Sequence, residues 1–190
     1  METDYVQDEV YKGINFSQKS LPATEFEACE FLDCNFSKVN LENITFIDCT
    51  FADCNFSNAQ LKNTGFKTAH FKNCKLIGLR FDLCNPFLLV LNFNDCILTY
   101  ASFYKLSIKE SRFIKCNLEN ADFTLADVSK GTFEDSNLKN AVFDQTNLTE
   151  SNFRTAINFR IDPELNKIRG ASFSKDNLEG LLDKYQIKIK

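Results

Sequence analysis

Two six-residue segments with a cysteine at each end, CEFLDC from Cys29 and CTFADC from Cys49, lie twenty residues apart. The 190-residue chain holds eight cysteines but a single histidine. Cysteines at short spacings can bind zinc, form disulfides, or serve as small buried side chains with weak polarity. The choice among these three depends on the elements that position the thiols.

A five-residue repeat positions them. Every fifth residue from Phe16 to Phe81 is Phe or Leu, which gives fourteen consecutive large apolar residues, and these are called centres here. The series resumes two residues out of phase and continues from Phe93 to Phe153 as Phe, Leu, Ile or Val. A period of five matches neither the 3.6 residues of an α-helix nor the two of a strand. The repeat therefore indicates a coiled architecture with short sides.

Each five-residue unit reads as one side of a polygon. A small residue lies two positions before each centre, a polar residue lies between them, and two mostly polar residues follow. Small–polar–large is a short piece of strand with two side chains inward and one outward. Leucine recurs at Leu21, Leu41 and Leu61 between phenylalanine centres, so the identity repeat is twenty residues, or four sides. The sequence predicts an all-β solenoid, a quadrilateral β-helix of about seven coils stacked about 4.8 Å apart.

All eight cysteines occupy the small inward position, with Cys84 at the break in the series. Cys34, Cys54 and Cys74 are twenty residues apart and are expected to stack in one column. The chain has no CxxC pair, and one histidine cannot complete several zinc sites. We therefore expect buried structural thiols, with no metal ligand and no cofactor, and the disulfide framework remains the weaker alternative.

The repeat divides the chain into three parts. Residues 1–13 start or cap the solenoid, residues 14–158 form the β-helix, and residues 159–190 form a C-terminal cap. The segment 82–92 breaks the register, because Pro86 stands where a centre is expected. Proline removes a ladder donor, so the segment predicts a bulge or kink. It is either a simple insertion at a corner or an exposed patch that a partner contacts.

The C-terminal cap contains a predicted helix over residues 174–185. Ser174 suits its N-cap, and apolar residues then fall at helical spacing. A helix this short needs a surface to pack on, which is either the last coil or a second chain. The candidate dimer interface comprises Leu178, Leu181, Leu182, Tyr185, Ile187 and Ile189.

The units NLENADFTLADVS and NLKNAVFDQTNL resemble the A(D/N)LXX signature of the pentapeptide repeat proteins, over roughly residues 14–158. That resemblance implies a right-handed quadrilateral β-helix. The tail INFRIDPELNKIRGASFSKDNLEGLLDKYQIKI is similar to the tails of Qnr-type quinolone-resistance and microcin-immunity proteins. It implies a homodimer joined through the tail and a DNA-like rod that binds DNA gyrase, and sometimes topoisomerase IV. Some Qnr-type members carry two projecting loops, and the two extra residues at the break are too few for such a loop.

Charge is uneven along the chain, whose formal net charge is −4. The acidic patch, a candidate partner surface, comprises Glu25, Glu27, Glu30, Asp33, Glu42, Asp48 and Asp53. The basic belt that follows comprises Lys62, Lys67, Lys72, Lys75 and Arg80. Acidic potential could steer the chain to a DNA-binding surface, and the same residues could equally be an ordinary solvated face. The basic belt argues against uniform DNA mimicry.

These observations favour a binding protein over an enzyme. The predicted interior is filled by Phe and Leu, and His70 has no recognisable nucleophile beside it. No signal peptide or membrane span is evident, so we expect a cytoplasmic protein that contacts neither membrane nor nucleic acid directly. We predict a non-enzymatic DNA mimic that protects gyrase or topoisomerase IV from quinolones or a peptide toxin. The alternative is a scaffold or interaction module with an unrelated protein partner.

Overall fold

The computed structural model describes residues 4–188 and shows the right-handed quadrilateral β-helix that the five-residue period predicts. Its strands are only three or four residues long because each side of a coil is one repeat unit. They are β1 (Tyr5–Gln7), β2 (Val10–Lys12), β3 (Glu25–Glu27), β4 (Glu30–Leu32), β5 (Thr45–Ile47), β6 (Thr50–Ala52), β7 (Gly65–Lys67), β8 (Ala69–Lys72), β9 (Leu91–Asn94) and β10 (Arg112–Ile114). Within residues 4–188, no helical segment has the length and hydropathy that crossing a bilayer requires.

The strands form two parallel ladders on adjoining sides of the rod. Side 1 carries the order β1-β3-β5-β7, and side 2 carries β2-β4-β6-β8-β9-β10. Single-residue bridges such as Asn35 to Asn55 form side 3, and bridges such as Asn40 to Gln60 form side 4. Below the break, partners are twenty residues apart on every side, as four five-residue units per coil require.

The ladder on side 2 shows how far the stack extends. Its successive partners are Val10, Glu30, Thr50, His70, Asn92, Arg112, Thr132, Asn152 and Ser172. Seven of these residues lie within the predicted range 14–158, in agreement with the expected coil number. Val10 and Ser172 add a level at each end, so the segments before and after that range also take part in the ladder.

The corners of each coil use the left-handed backbone region. The second residue after most centres has a positive φ, for example Asp33 (53°), Asp53 (57°) and Asn58 (58°). Asn and Asp adopt this region more readily than other non-glycine residues. The polar pair that follows each centre in the sequence therefore turns the chain through the corner.

Stacked aromatic rings fill the axis. Phe36 and Phe56 stack with ring centroids 4.4 Å apart, and Phe103 and Phe123 stack at 4.9 Å. Rings on adjoining sides meet edge-on, as Phe46 and Phe51 do at 5.2 Å. Offset stacking and edge-to-face contacts are both favourable for aromatic pairs. The columns of Phe, together with the Leu, Ile and Val centres on the other sides, therefore yield one continuous core along the rod.

The small inward residues tie each coil to the one before it. Most hydroxyls and thiols at this position donate to the carbonyl oxygen 23 residues earlier, as Thr64 does to Leu41 (2.8 Å) and Ser151 does to Val128 (2.8 Å). The buried Oγ of Ser111 differs from these hydroxyls, because it has no hydrogen-bond partner within residues 4–188. The residue 23 positions before it is Leu88, which lies in the break.

The break is a bulge and not an interruption of the stack. A short 3-10 helix, Phe81–Leu83, precedes it, and β8 pairs directly with β9 beyond it. Leu89 is buried at 8% exposure, whereas Pro86 and the two residues after it are exposed. Ladder partners on sides 3 and 4 are 22 residues apart here, as between Lys75 and Ile97. The two extra residues thus project outward while the coils continue.

The segment predicted as one helix, residues 174–185, contains three short turns. They are a 3-10 turn at Lys175–Asn177, α1 at Glu179–Leu182, and a second 3-10 turn at Asp183–Tyr185. The Asn177 side chain donates to the carbonyl oxygens of Phe153 (3.1 Å) and Ala156 (3.0 Å). Contact with the last coil therefore shapes this segment more than helix propensity does.

Candidate partner-binding surfaces

The cysteines are structural, as the repeat indicates. All eight are free and buried, and the thiols donate to carbonyl oxygens, for example Cys54 to Phe31 (3.2 Å) and Cys74 to Phe51 (3.3 Å). Burial raises the pKa of the Cys49 thiol to about 12, which disfavours the nucleophilic thiolate. No cluster of three or more metal-binding side chains occurs within the described part of the chain. These thiols hold coils together and leave the outer surface as the place for chemistry or recognition.

Six members of the acidic patch lie together on two adjoining sides of the rod. Glu25 and Glu27 project from β3 on side 1, and Glu30 projects from β4 on side 2. Asp48 occupies the corner between these sides, and Asp33 and Asp53 stack at the next corner, as the pairing of β4 with β6 requires. The structure thus brings these six carboxylates onto sides 1 and 2 of the N-terminal coils and the corners that follow them.

Glu42, the seventh member, lies apart from the others. It is on side 4, where its Oε1 is 2.8 Å from Lys62 Nζ. An exposed ion pair of this kind contributes little stability, but it neutralises the local charge. The position of residue 42 within the twenty-residue period, one side before β5, could have revealed this separation from the sequence.

A tyrosine borders the acidic patch at the N-terminal end. The Tyr5 hydroxyl donates to Glu27 Oε2 (2.6 Å), and its oxygen lies 2.9 Å from Gln7 Oε1. The hydrogen bond to Glu27, together with desolvation and the nearby carboxylates, raises the pKa of Tyr5 to about 12. The hydrogen bond thus fixes the Glu27 side chain at the rim of the patch.

The basic belt encircles the rod. Lys67 lies in β7 on side 1, Lys72 in β8 on side 2, and Lys75 on side 3. Lys62 and Arg80 lie on side 4, where they pair with Glu42 (2.8 Å) and Asp82 (2.6 Å). Within residues 4–188, the other three belt lysines have no ion-pair partner. One coil of positive charge therefore separates the acidic patch from the C-terminal half.

The C-terminal segment is fastened to the last coil by polar contacts. Lys184 Nζ lies 2.7 Å from Asp162 and 2.8 Å from Glu164, and the Tyr185 hydroxyl donates to Glu164 (2.9 Å). The hydrogen bond from Lys184 lowers the pKa of both carboxyl groups. A Cβ at buried Gly180 would clash with the Phe159 carbonyl oxygen, so only glycine permits this close approach.

The candidate dimer residues divide between the core and the surface. Leu181 packs against the core and Leu182 is half-buried, whereas Leu178, Tyr185 and Ile187 are exposed. Ile189 lies outside the described residues. A groove of about 640 Å³ runs between this segment and the last coil, with exposed Ile157 and Ile187 in its wall.

The break segment, which the sequence predicts as a simple insertion or as an exposed patch, carries a group of exposed apolar residues. The break patch comprises Leu83, Phe87, Leu88 and Val90, whose exposed fractions are 45%, 65%, 62% and 42%. The signal was available, since Phe87 is one of three phenylalanines outside the five-residue series. Exposed apolar residues grouped in this way mark interaction sites more often than scattered ones do.

Comparisons with known proteins agree with the fold. A family model described as a pentapeptide repeat region matches residues 24–86 and 90–181. A trypsin-treated variant of QnrB1, a plasmid-mediated fluoroquinolone resistance protein, superposes with a TM-score of 0.66 at 16% identity, covering 98% of this chain and 100% of that one. HetL, a pentapeptide repeat protein involved in heterocyst differentiation regulation from the cyanobacterium Nostoc sp. strain PCC 7120, superposes with a TM-score of 0.64 at 12% identity, covering 89% and 86%. No curated protein sequence matches significantly.

Proposed function

The chain belongs to the pentapeptide repeat family, and on that premise we propose that it is a non-enzymatic protein that binds DNA gyrase, or topoisomerase IV, in the cytoplasm. By occupying the surface that binds DNA, it protects the enzyme from a quinolone or a peptide toxin. The tail, which resembles those of the Qnr-type and microcin-immunity proteins, supports this proposal, and so does the fold shared with a fluoroquinolone resistance protein.

The observation that carries the proposal is the placement of six carboxylates on sides 1 and 2 of the N-terminal coils. Asp33 and Asp53 stack on successive coils about 4.8 Å apart, and the other four carboxylates lie beside them, so together they form one cluster of negative charge on a narrow rod. A surface built to bind DNA phosphates is positive and attracts such a cluster at long range. The basic belt limits this similarity to DNA to the N-terminal end, so we place the first contact with the enzyme there.

A supercoiling assay tests the proposal. The chain is titrated into purified gyrase and relaxed plasmid in the presence of ciprofloxacin. Restored supercoiling at low concentration, followed by inhibition at high concentration, is the expected result for a competitor of DNA. Absence of both effects with correctly folded protein contradicts the proposal.

Charge-matched variants connect the result to the acidic patch. The patch variant carries Glu25→Gln, Glu27→Gln, Glu30→Gln and Asp33→Asn. The control variant carries Glu134→Gln, Asp135→Asn, Asp144→Asn and Glu150→Gln, which removes the same charge from the C-terminal coils. Protection should fall at least about tenfold in the first variant alone, since each removed carboxylate weakens the steering field. Equal losses in both would mean that only net charge matters.

We further propose that two chains pair through their C-terminal segments. Leu178, Tyr185 and Ile187 are exposed on the C-terminal segment, and Ile187 also lines the groove on the last coil, so a second segment can cover this apolar surface. Light scattering should give the mass of two chains for the wild type and of one chain for Leu178→Glu. A monomeric wild type would refute this pairing.

The second candidate function is a scaffold for an unrelated protein partner. The basic belt favours it, because a ring of positive charge does not resemble DNA. HetL, which is similar in fold, is described as taking part in the regulation of differentiation. A folded dimer with no effect on gyrase in either concentration range would favour the scaffold.

A further inference from the structure

The first coil forms an open end of the rod. β1 and β2 are the terminal strands of sides 1 and 2, and within residues 4–188 no strand pairs with their outer edges. The half-buried side chains of Val6 and Tyr11 belong to the last layer of the core at this end. At the opposite end, the tail covers the last coil, where the Asn177 side chain donates to two backbone carbonyl oxygens. The rod therefore has one covered end and one open end.

The outer edge of β1 presents four backbone groups that the ladder does not use. The Asp8 N–H donates to the Glu27 carbonyl oxygen on the next coil (3.0 Å). Successive residues of a parallel strand direct their N–H and C=O groups to alternate neighbours, so those of Tyr5 and Gln7 point away from β3. An edge of this kind is a template on which another extended chain can add a strand.

β1 lacks the features that protect exposed strand edges in other proteins. Such edges commonly carry proline, lysine or a bulge. β1 reads Tyr-Val-Gln, without proline or charge, and the Tyr5 side chain is 46% exposed. β2, in contrast, ends in Lys12. β1 is therefore the part of the open end that can accept a strand.

Carboxylates surround β1. Asp4 and Asp8 flank it on the same coil, and Glu25 and Glu27 lie on its paired strand β3. Within residues 4–188, none of these four carboxylates has an ion-pair partner. Lysine or arginine at the outward positions of an added strand would complement this charge. An apolar residue at its inward position would cover half-buried Val6 and extend the core by one layer.

We propose that the outer edge of β1 is a docking site for an extended segment of a partner protein in which basic and apolar residues alternate. The segment adds a strand to side 1, where the free backbone groups of Tyr5 and Gln7 supply main-chain hydrogen bonds. The carboxylates around β1 select a basic segment, and Val6 selects an apolar residue on its inward face. Binding at this end does not require the proposed contact with a topoisomerase.

A second copy of the chain fits the open end less well than a basic segment does. Two open ends that face each other would bring Asp4, Asp8 and Glu9 of one chain against the same three carboxylates of the other. Like charges opposite each other on paired strands are destabilising. The same carboxylates repel the phosphates of a nucleic acid. A basic extended segment is therefore the occupant that the charge favours.

The experiment measures, by fluorescence anisotropy, how the full chain binds a labelled synthetic peptide in which lysine and valine alternate. The test variant is Gln7→Pro, which removes one free N–H and keeps the bonds to β3, since proline is tolerated where the N–H of an edge strand faces solvent. The matched control is Gln7→Ala, which removes the same side chain and keeps the N–H. A second peptide, N-methylated at every amide, keeps the charge and loses the backbone donors. Thermal melts confirm that both variants are folded.

The peptide should bind Gln7→Pro at least about tenfold more weakly than the wild type, because a hydrogen bond is lost and the ring blocks the edge, and it should bind Gln7→Ala with unchanged affinity. Hydrogen exchange tests the wild type without substitution, since the peptide should slow exchange of the Tyr5 and Gln7 amides. Equal affinity for wild type and Gln7→Pro, unchanged exchange, or equal binding of the methylated peptide overturns the proposal, because the attraction is then charge alone. A wild type that does not bind the peptide also overturns it, and so does self-association that Gln7→Pro abolishes, which assigns the edge to a second copy.

Discussion

The isolated hydroxyl of Ser111 permits a matched test of the inter-coil hydrogen bonds. Ser111 and Ser151 occupy the same column of small inward residues, at 2% and 0% exposure. The Ser151 hydroxyl donates to the Val128 carbonyl oxygen at 2.8 Å, whereas the equivalent acceptor for Ser111 would be Leu88, which the bulge displaces. The two residues therefore differ in hydrogen bonding at equal burial.

Replacing Ser151 and replacing Ser111 by alanine should affect the free energy of unfolding differently. Ser151→Ala removes a satisfied buried hydrogen bond and should lower the free energy of unfolding by about 1 kcal/mol. Ser111→Ala removes a desolvated hydroxyl without a partner, so the free energy of unfolding should stay constant or rise by up to about 1 kcal/mol. For a chain of this length, 1 kcal/mol corresponds to about 2–4 °C in Tm.

Urea melts followed by circular dichroism, with Tm as a second measure, compare both variants with the wild type. Similar slopes of the unfolding free energy against urea show that the transition itself is unchanged. If Ser111→Ala destabilises the chain as much as Ser151→Ala does, Ser111 has an acceptor in solution. The conclusion that the bulge displaces the Leu88 carbonyl would then be wrong.

Three further predictions concern the core, the tail and the corners. Phe46→Ala should lower the free energy of unfolding by about 3–5 kcal/mol in urea melts, because it deletes one ring from a continuous stack; a loss below 1 kcal/mol would contradict that packing. Lys184 lowers the pKa of Asp162 and Glu164. The stability that these contacts give the tail is therefore present above the unfolded pKa of the two carboxyl groups and is lost as pH falls through their folded pKa. Protection factors of the tail amides, which correct the exchange rate for its intrinsic pH dependence, should therefore fall on acidification, and in Lys184→Met they should already be low at neutral pH. Leu125→Asn should raise Tm, because leucine at φ 60° is strained and partly exposed; an unchanged or lower Tm would show that the strain is compensated.

The five-residue period was sufficient to predict the fold because it acts at every position. Each centre had to face the axis, and each small residue had to fit where two sides meet, so the columns of Phe and Cys followed directly. The structure of the break could be predicted only in part from the five-residue period. Periodicity located Pro86 as a missing centre, but it could not show that Leu89 takes that place and exposes Phe87.

Surface properties were predicted less completely than the core. The acidic patch was chosen by proximity in sequence, but the four sides of a coil point in different directions, and Glu42 lies on side 4, where it pairs with Lys62. The tail was predicted as one helix from its apolar spacing. Its conformation instead follows from Asn177 and Gly180, whose contacts with the last coil break the helical regularity.

The twenty-residue ladder period has a consequence for changes in chain length. Deleting one full coil of twenty residues would shorten the rod by about 4.8 Å and leave every remaining side chain on its original side. Deleting a single five-residue unit would turn everything beyond it by a quarter of a revolution relative to everything before it. The angle between the acidic N-terminal sides and the tail therefore depends on the number of five-residue units between them. The bulge at the break, which absorbs two residues without adding a side, is a kind of length change that preserves this angle.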